Sequence, residues 1–278
     1  MKHFILSVAV SILAGCQSTG DESQSVGASI EIVSSQYRFM GPGPQTMAPK
    51  NGQQFAAIQK AFAALQWDSV KFLSLKHLNS YPGNSNAFIF LSLAHTALNE
   101  TGRARFYAEL VLKSEPSNAY ALNILGVLKY REALLPEDYR RALIYFQLAR
   151  QAAPQSPTPV LNAATLNLEV GNFSEARGDF KQAREKCFDC QSALIGSALA
   201  AQSLGFFDEA KDVIKIILSK DDKNEVARLL QAGQLYYVDQ KHEESHVLLT
   251  ELLNNAKGEG QVQKEARNLM NRIEAVSH

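Results

Sequence analysis

The chain has no surplus of charge of either sign: 28 lysines and arginines face 28 aspartates and glutamates over 278 residues. A protein that grips nucleic acid through its phosphates carries a basic footprint, and none is present here. Proline and glycine are sparse, at 9 and 16 residues beside 46% hydrophobic content, an ordinary composition for a folded helical protein. No glycine-rich phosphate loop and no nucleophile elbow occur, and no part of 51–278 reads as a strand-rich domain. The apolar run at the N-terminus, Phe4 to Leu13, is only about ten residues, too short to cross a bilayer of ~30 Å as a helix. Cysteine occurs three times, at Cys16, Cys187 and Cys190.

What the chain does have is a period. Gly171, Phe173, Ala176 and Phe180 return as Gly205, Phe207, Ala210 and Ile214, each 34 residues on. A constant offset of this length is the mark of stacked helical hairpins. Ala176 and Ala210 then fall where two helices of a hairpin cross, and the aromatic before each plugs the turn. Upstream, Pro82 and Pro116 are 34 apart and Pro154 follows after 38. The four extra residues lie around Leu135-Pro136-Glu137 and lengthen one surface turn, which a fold tolerates at little cost. Ala104 marks another crossing, Leu125-Gly126 a close helix approach, and Trp67 the turn aromatic of a degenerate first unit. In the last unit Glu244 stands where alanine is expected, and Ser245 is expected on an exposed face.

The Gly-x-aromatic-x-x-Ala signature, seen twice, resembles the tetratricopeptide repeat. That resemblance implies an all-α fold: a right-handed superhelical solenoid of about six helix-turn-helix repeats with a C-terminal capping helix. The expected repeats are 51–84, 85–118, 119–156, 157–190, 191–224 and 225–258, with a cap over 259–278. Val262, Ala266, Leu269, Met270 and Ile273 form one apolar face of that cap, as the open end of a solenoid requires.

Residues 1–15 read as a signal peptide, from the basic Lys2, the short apolar run and the small residues before a cysteine. Leu13-Ala14-Gly15-Cys16 resembles the bacterial lipobox, which implies lipidation of Cys16. Gln17 is not the aspartate that resembles an inner-membrane retention signal, so the expected address is the periplasmic side of the outer membrane, lipid-anchored. Several acyl chains on one residue suffice for stable anchoring, at ~0.8 kcal/mol per buried methylene. Residues 16–50 are polar and end in Gly-Pro-Gly-Pro (41–44), and read as the lipidated N-terminus and a flexible tether.

Two motifs carry potential chemistry. His242-Glu243-Glu244-Ser245-His246 spells H-E-x-x-H, which on a helix sets two imidazoles one turn apart and suits zinc, with Glu243 as base. A metallopeptidase needs a third ligand and a substrate-binding sheet, whereas here the flanking chain is used up by repeats, so a solvated helix face is expected and no metal or catalytic residue is assigned. Cys187 and Cys190, a C-x-x-C pair between two repeats, can close a small disulfide, remain two buried thiols or serve redox chemistry. No thioredoxin-like pattern accompanies them. His77 and His95 are expected as packing or surface residues rather than ligands, and Tyr236 and Tyr237 as core or groove lining rather than a cofactor contact.

In the repeat family the first helix of each hairpin lines the concave face. Projected along those helices, the expected partner-binding groove comprises Ile89, Leu93, Tyr120, Asn123, Val127, Tyr130, Leu161, Thr165, Leu168, Ile195 and Leu199. The set contains no lysine or arginine, so it departs from the family members that clamp an acidic tail and suits an apolar helix or extended segment of an envelope protein. Lipobox plus repeats resembles, in architecture, the accessory lipoproteins of type IV and tight-adherence (Tad/Flp) pilus systems, one class of which pilots a secretin to the outer membrane. The expected function is therefore a non-enzymatic scaffold with no cofactor, membrane-attached through its lipid and not bound to nucleic acid. The other reading is an adaptor for a cell-wall enzyme, or a zinc enzyme acting through the histidine motif.

Overall fold

The structure is a computed structural model that describes residues 45–49, 55–134, 136–187, 190–256, 258 and 260–276. The signal peptide, the lipobox with Cys16 and the tether as far as residue 44 lie outside the described residues. Among the described residues there are thirteen helices and no strand. They are α1 (Ala56–Ala63), α2 (Trp67–Ser80), α3 (Ser85–Ala97), α4 (Thr101–Ser114), α5 (Ala119–Glu132), α6 (Pro136–Ala152) and α7 (Pro157–Glu169). There follow α8 (Phe173–Lys186), α9 (Gln191–Ser203), α10 (Phe207–Lys220), α11 (Glu225–Tyr237), α12 (His242–Asn255) and α13 (Gln261–Val276).

Each helix packs on the next, and first helices also pack on the first helices of neighbouring hairpins, α3 on α5, α7 on α9 and α9 on α11. This is a helical solenoid. Neither α1 and α3 nor α5 and α7 pack on each other to the same extent. The apolar core runs the length of the stack. One cluster joins α1 to α5, a small one centred on Phe146 bridges α5 to α7, a third joins α7 to α11, and a fourth seals α11 to α13. In α13 Ala266, Leu269 and Ile273 are buried and Val262 and Met270 pack beside them, so this helix covers the end of the stack.

Local chemistry repeats with the period. Asn84, Asn118 and Asn224 precede α3, α5 and α11, and each side chain accepts the N–H three residues on, at 3.1, 3.1 and 2.9 Å. Every first helix but α5 is followed by a left-handed residue, Leu65, Asn99, Gly171, Gly205 or Gln240, with φ of 56°, 59°, 83°, 78° and 55°. After the first four of these the next N–H returns to the carbonyl five residues back, as in Asn172 to Asn167 (2.8 Å) and Phe206 to Ala201 (2.8 Å), and after Gln240 the Lys241 N–H reaches Leu235, six back, at 2.7 Å, which closes the helix end. The repeat's glycine is thus a turn residue.

Second helices begin with Trp67, Thr101, Phe173, Phe207 or His242, and the fourth position of each is buried: Val70, Ala104, Ala176, Ala210 and Ser245. Ser245 was expected on the surface and is fully buried instead. The turn between α11 and α12, Val238 to Lys241, holds one residue more than Leu204 to Phe206, so the crossing position falls on Ser245 and Glu244 turns outward. The remaining close approaches use glycine. A Cβ on Gly126 would lie 2.5 Å from the Phe146 ring, and one on Gly196 would overlap the Phe180 ring.

Candidate peptide-binding groove

The residues projected as groove lining separate once the helices are packed. Ile89 and Leu93 are buried in the first cluster, Val127 beside Phe146, and Leu161, Leu168, Ile195 and Leu199 in the third. Thr165 is buried as well. These aliphatic side chains hold the stack together, which corrects the expectation that they form an apolar contact surface. Tyr120 is half-buried against the first cluster. Tyr130 is also half-buried, and its hydroxyl donates to Glu169 Oε1 at 2.8 Å, linking α5 to the end of α7. A first helix has neighbours on three sides, so little of it is left to a partner.

Asn123 behaves differently, and with a residue outside the projected set. Asn123 on α5 and Asn162 on α7 face each other across the gap between these helices, with Asn162 Nδ2 donating to Asn123 Oδ1 at 2.7 Å. Into that gap runs the segment Gln45–Pro49. Asn162 Oδ1 accepts the Gln45 N–H at 2.5 Å, while Asn162 Nδ2 and Asn123 Nδ2 both donate to the Gln45 carbonyl, each at 2.8 Å. Both main-chain polar groups of one residue are therefore taken up by two carboxamides. The Gln45 side chain donates to Ser192 Oγ on α9 at 3.3 Å.

The segment then continues toward the N-terminal end of the stack. Ser156 Oγ lies 3.5 Å from Met47 Sδ, Ala48 packs against the first cluster, and Pro49 is buried with its carbonyl accepting from Gln59 Nε2 at 3.2 Å. The end of the expected tether is thus held by α1, α5, α7 and α9. The side chains that hydrogen-bond to it, Gln59, Asn123, Ser156, Asn162 and Ser192, are all uncharged. Asn162 and Gln45 escaped sequence reasoning because contacts to main chain leave no pattern in the side chains of the segment that is held.

The other motifs resolve into local structure. His242 opens α12 against the Tyr236 ring (centroids 4.7 Å), His246 Nε2 is 3.6 Å from Glu274 Oε1, and Glu243 is exposed. Among the described residues no three His, Cys, Asp or Glu side chains converge as a metal site would require. Cys187 and Cys190 are joined as a disulfide, with Cα atoms 5.4 Å apart, between α8 and α9. His95 is buried with Nδ1 2.5 Å from Glu100 Oε2, and the His77 ring stacks on Tyr81 and meets Phe55 at a tilt. On the second helices, Phe72, Phe106 and Ile144 occupy one position in three successive repeats, and each is more than half exposed. No described helix is long and apolar enough to cross a membrane.

No family model and no curated protein matches the chain. Solved structures do. A Pseudomonas aeruginosa structure from the functional characterization of pilF aligns with a TM-score of 0.64 at 15% identity, over 92% of this chain and 99% of that one. A tetratricopeptide repeat protein of Parabacteroides merdae aligns with a TM-score of 0.59 at 13% identity, over 81% and 86%. YrrB, reported as a repeat protein with an unusual peptide-binding site, aligns with a TM-score of 0.58 at 16% identity, over 73% and 97%. The fold is that of tetratricopeptide repeat proteins.

Proposed function

We propose that this chain is a non-enzymatic scaffold for protein–protein contact, whose groove takes an extended segment of a partner in the bacterial envelope. The observation that carries this reading is that the groove between α5, α7 and α9 already holds an extended polypeptide, gripped by its main chain. A surface that satisfies backbone N–H and C=O groups in this way is a recognition surface for unstructured or extended chain. The likeness to YrrB, a protein reported with a peptide-binding site, supports the same use of the fold.

The lipobox at Leu13–Cys16 supports an address at the periplasmic side of the outer membrane, with Cys16 as the lipidated residue. Together with the likeness to the pilF structure over almost the whole of both chains, it favours an assembly or piloting role in an envelope machine such as a pilus or secretion system. The test has two arms. Crosslinking in intact envelopes, followed by capture through the full chain, is expected to recover one envelope component, and Asn162→Leu is expected to lose it. A Cys16→Ala variant is expected to leave the outer-membrane fraction. Retention of that variant with unchanged processing rejects the anchor, and undiminished capture by Asn162→Leu rejects the groove.

A further inference from the structure

We propose that Gln45–Pro49 is a ligand of the groove held in cis, and that a partner binds by displacing it with an extended, uncharged segment of its own. This rests on the reading of the groove as the partner site and states how that site is regulated. Three observations carry it.

The first is the mode of contact. Asn162 presents an acceptor to the Gln45 N–H and a donor to the Gln45 carbonyl, and Asn123 adds a second donor to that carbonyl. Any residue but proline offers the same N–H and C=O pair, so this contact is indifferent to the side chain at its centre. The second is burial. Asn123 and Asn162 are at most 1% exposed with the segment in place. If the segment left with nothing following it, buried carboxamides would lose partners, which is costly. Exchange for another extended chain restores every bond. The third is chemistry. The side chains hydrogen-bonded to the segment carry no charge, Ala48 packs against the first apolar cluster, Pro49 is buried, and Thr46 is exposed. The groove therefore suits a segment that is neutral, small at the fourth position and able to end in proline. It does not suit an acidic tail or a basic helix.

The strap is connected to α1 by only six residues, 50–55. A short connection gives a tethered ligand an effective concentration on the order of millimolar. A free peptide at micromolar concentration is therefore largely shut out while the strap is intact. Weakening the strap opens the site without altering the residues that read the peptide.

The experiment uses the full chain and a labelled peptide with the sequence of residues 43–50, added in trans. Gln45→Pro with Ala48→Asp releases the strap, since the first removes the N–H taken by Asn162 and the second sets a charge against the first apolar cluster. The released protein is expected to bind the peptide at least about tenfold more tightly than the wild type, in keeping with the loss of a tethered competitor. Adding Asn162→Leu to the released protein is expected to reverse the gain. A peptide with an N-methylated Gln45, which removes the same N–H without touching the protein, is expected to bind at least about tenfold more weakly. That second probe stands even if Asn162→Leu folds poorly. Equal binding by wild-type and released protein, or equal binding of the methylated and plain peptides, overturns the proposal and makes the strap a fixed part of the fold. No envelope partner is used, so such a result leaves the scaffold reading intact. Failure of envelope capture, conversely, leaves the peptide result standing.

Discussion

Ser245 on α12 donates its hydroxyl proton to the carbonyl of Ala232 on α11, 2.8 Å away, across the point where the two helices of the last repeat cross. Ser92 makes the mirror-image contact in the second repeat, donating from the first helix to the Ala104 carbonyl on the second at 2.7 Å. A serine at a crossing is as small as the site demands and satisfies its own hydroxyl on a carbonyl of the helix it meets.

Ser245→Leu is therefore expected to overpack the crossing and to cost roughly 1–3 kcal/mol, as Ala176→Leu and Ala210→Leu should. Ser245→Ala keeps the close approach and gives up one hydrogen bond, for about 1 kcal/mol or less. Urea unfolding of the four variants checks this. A neutral Ser245→Leu, beside costly changes at Ala176 and Ala210, returns the crossing to Glu244.

The solenoid was legible because its period is written in residues with steric duties. Ala104, Ala176 and Ala210 keep helices close, Gly171 and Gly205 take left-handed turns, and Phe180 fills the space under Gly196. The slip at Ser245 came from one added residue in a surface turn, which shifts every later position while changing no pattern of its own. The groove was less legible for a different reason. Helical projection assumes one wet face, yet every residue of α5 from Ala121 to Leu128 is buried, as is every residue of α9 from Ala193 to Ser203. A helix enclosed on all sides has no amphipathic signal to read. Leu199, once counted as groove lining, has no exposed surface, so its truncation would open a cavity in the core. Asn162 sits in an apolar run, where its partner 117 residues away is invisible to any local pattern.

Two helical glycines should respond to the same change with opposite signs. A Cβ on Gly196 would overlap the Phe180 ring, so Gly196→Ala is expected to destabilise by about 1–3 kcal/mol. Gly178 lies exposed within α8 with nothing near its Cβ position, so Gly178→Ala is expected to stabilise by roughly 0.5–1 kcal/mol. Thermal unfolding of both variants decides it, and shifts of the same sign would mean that α8 and α9 do not meet as described.

Gln240 pays for its left-handed backbone where Gly205, at the corresponding turn, does not. An L-residue in that region costs about 1–2 kcal/mol, while glycine gives back part of the difference through its freer unfolded chain. Gln240→Gly is thus expected to raise stability by up to about 1 kcal/mol, even though it removes the side-chain bond from Gln240 Nε2 to the Tyr237 carbonyl. Gly205→Ala has no steric neighbour and should lose about 1–2 kcal/mol through backbone strain alone. Denaturant midpoints at constant slope are the measurement, and a destabilised Gln240→Gly would show that the turn is held by its side chain.

Acid should find one specific weak point, at the start of α4. The Glu100 carboxyl is held below its ordinary range first by its hydrogen bond with His95, against a smaller opposing effect of desolvation, with Lys71, His95 and Arg103 contributing charge. A carboxylate whose folded pKa is depressed contributes stability that is present above its unfolded pKa and is lost as pH falls through the folded value. The wild type should therefore lose, on acidification below the ordinary carboxylate range, an increment that Glu100→Gln never had. The stability difference between the two proteins, measured by urea unfolding, is expected to be largest near neutrality and to shrink toward strongly acid pH. A difference that stays constant across that window would mean that the His95–Glu100 contact, 2.5 Å in the folded chain, holds the turn by hydrogen bonding alone and carries no proton linkage.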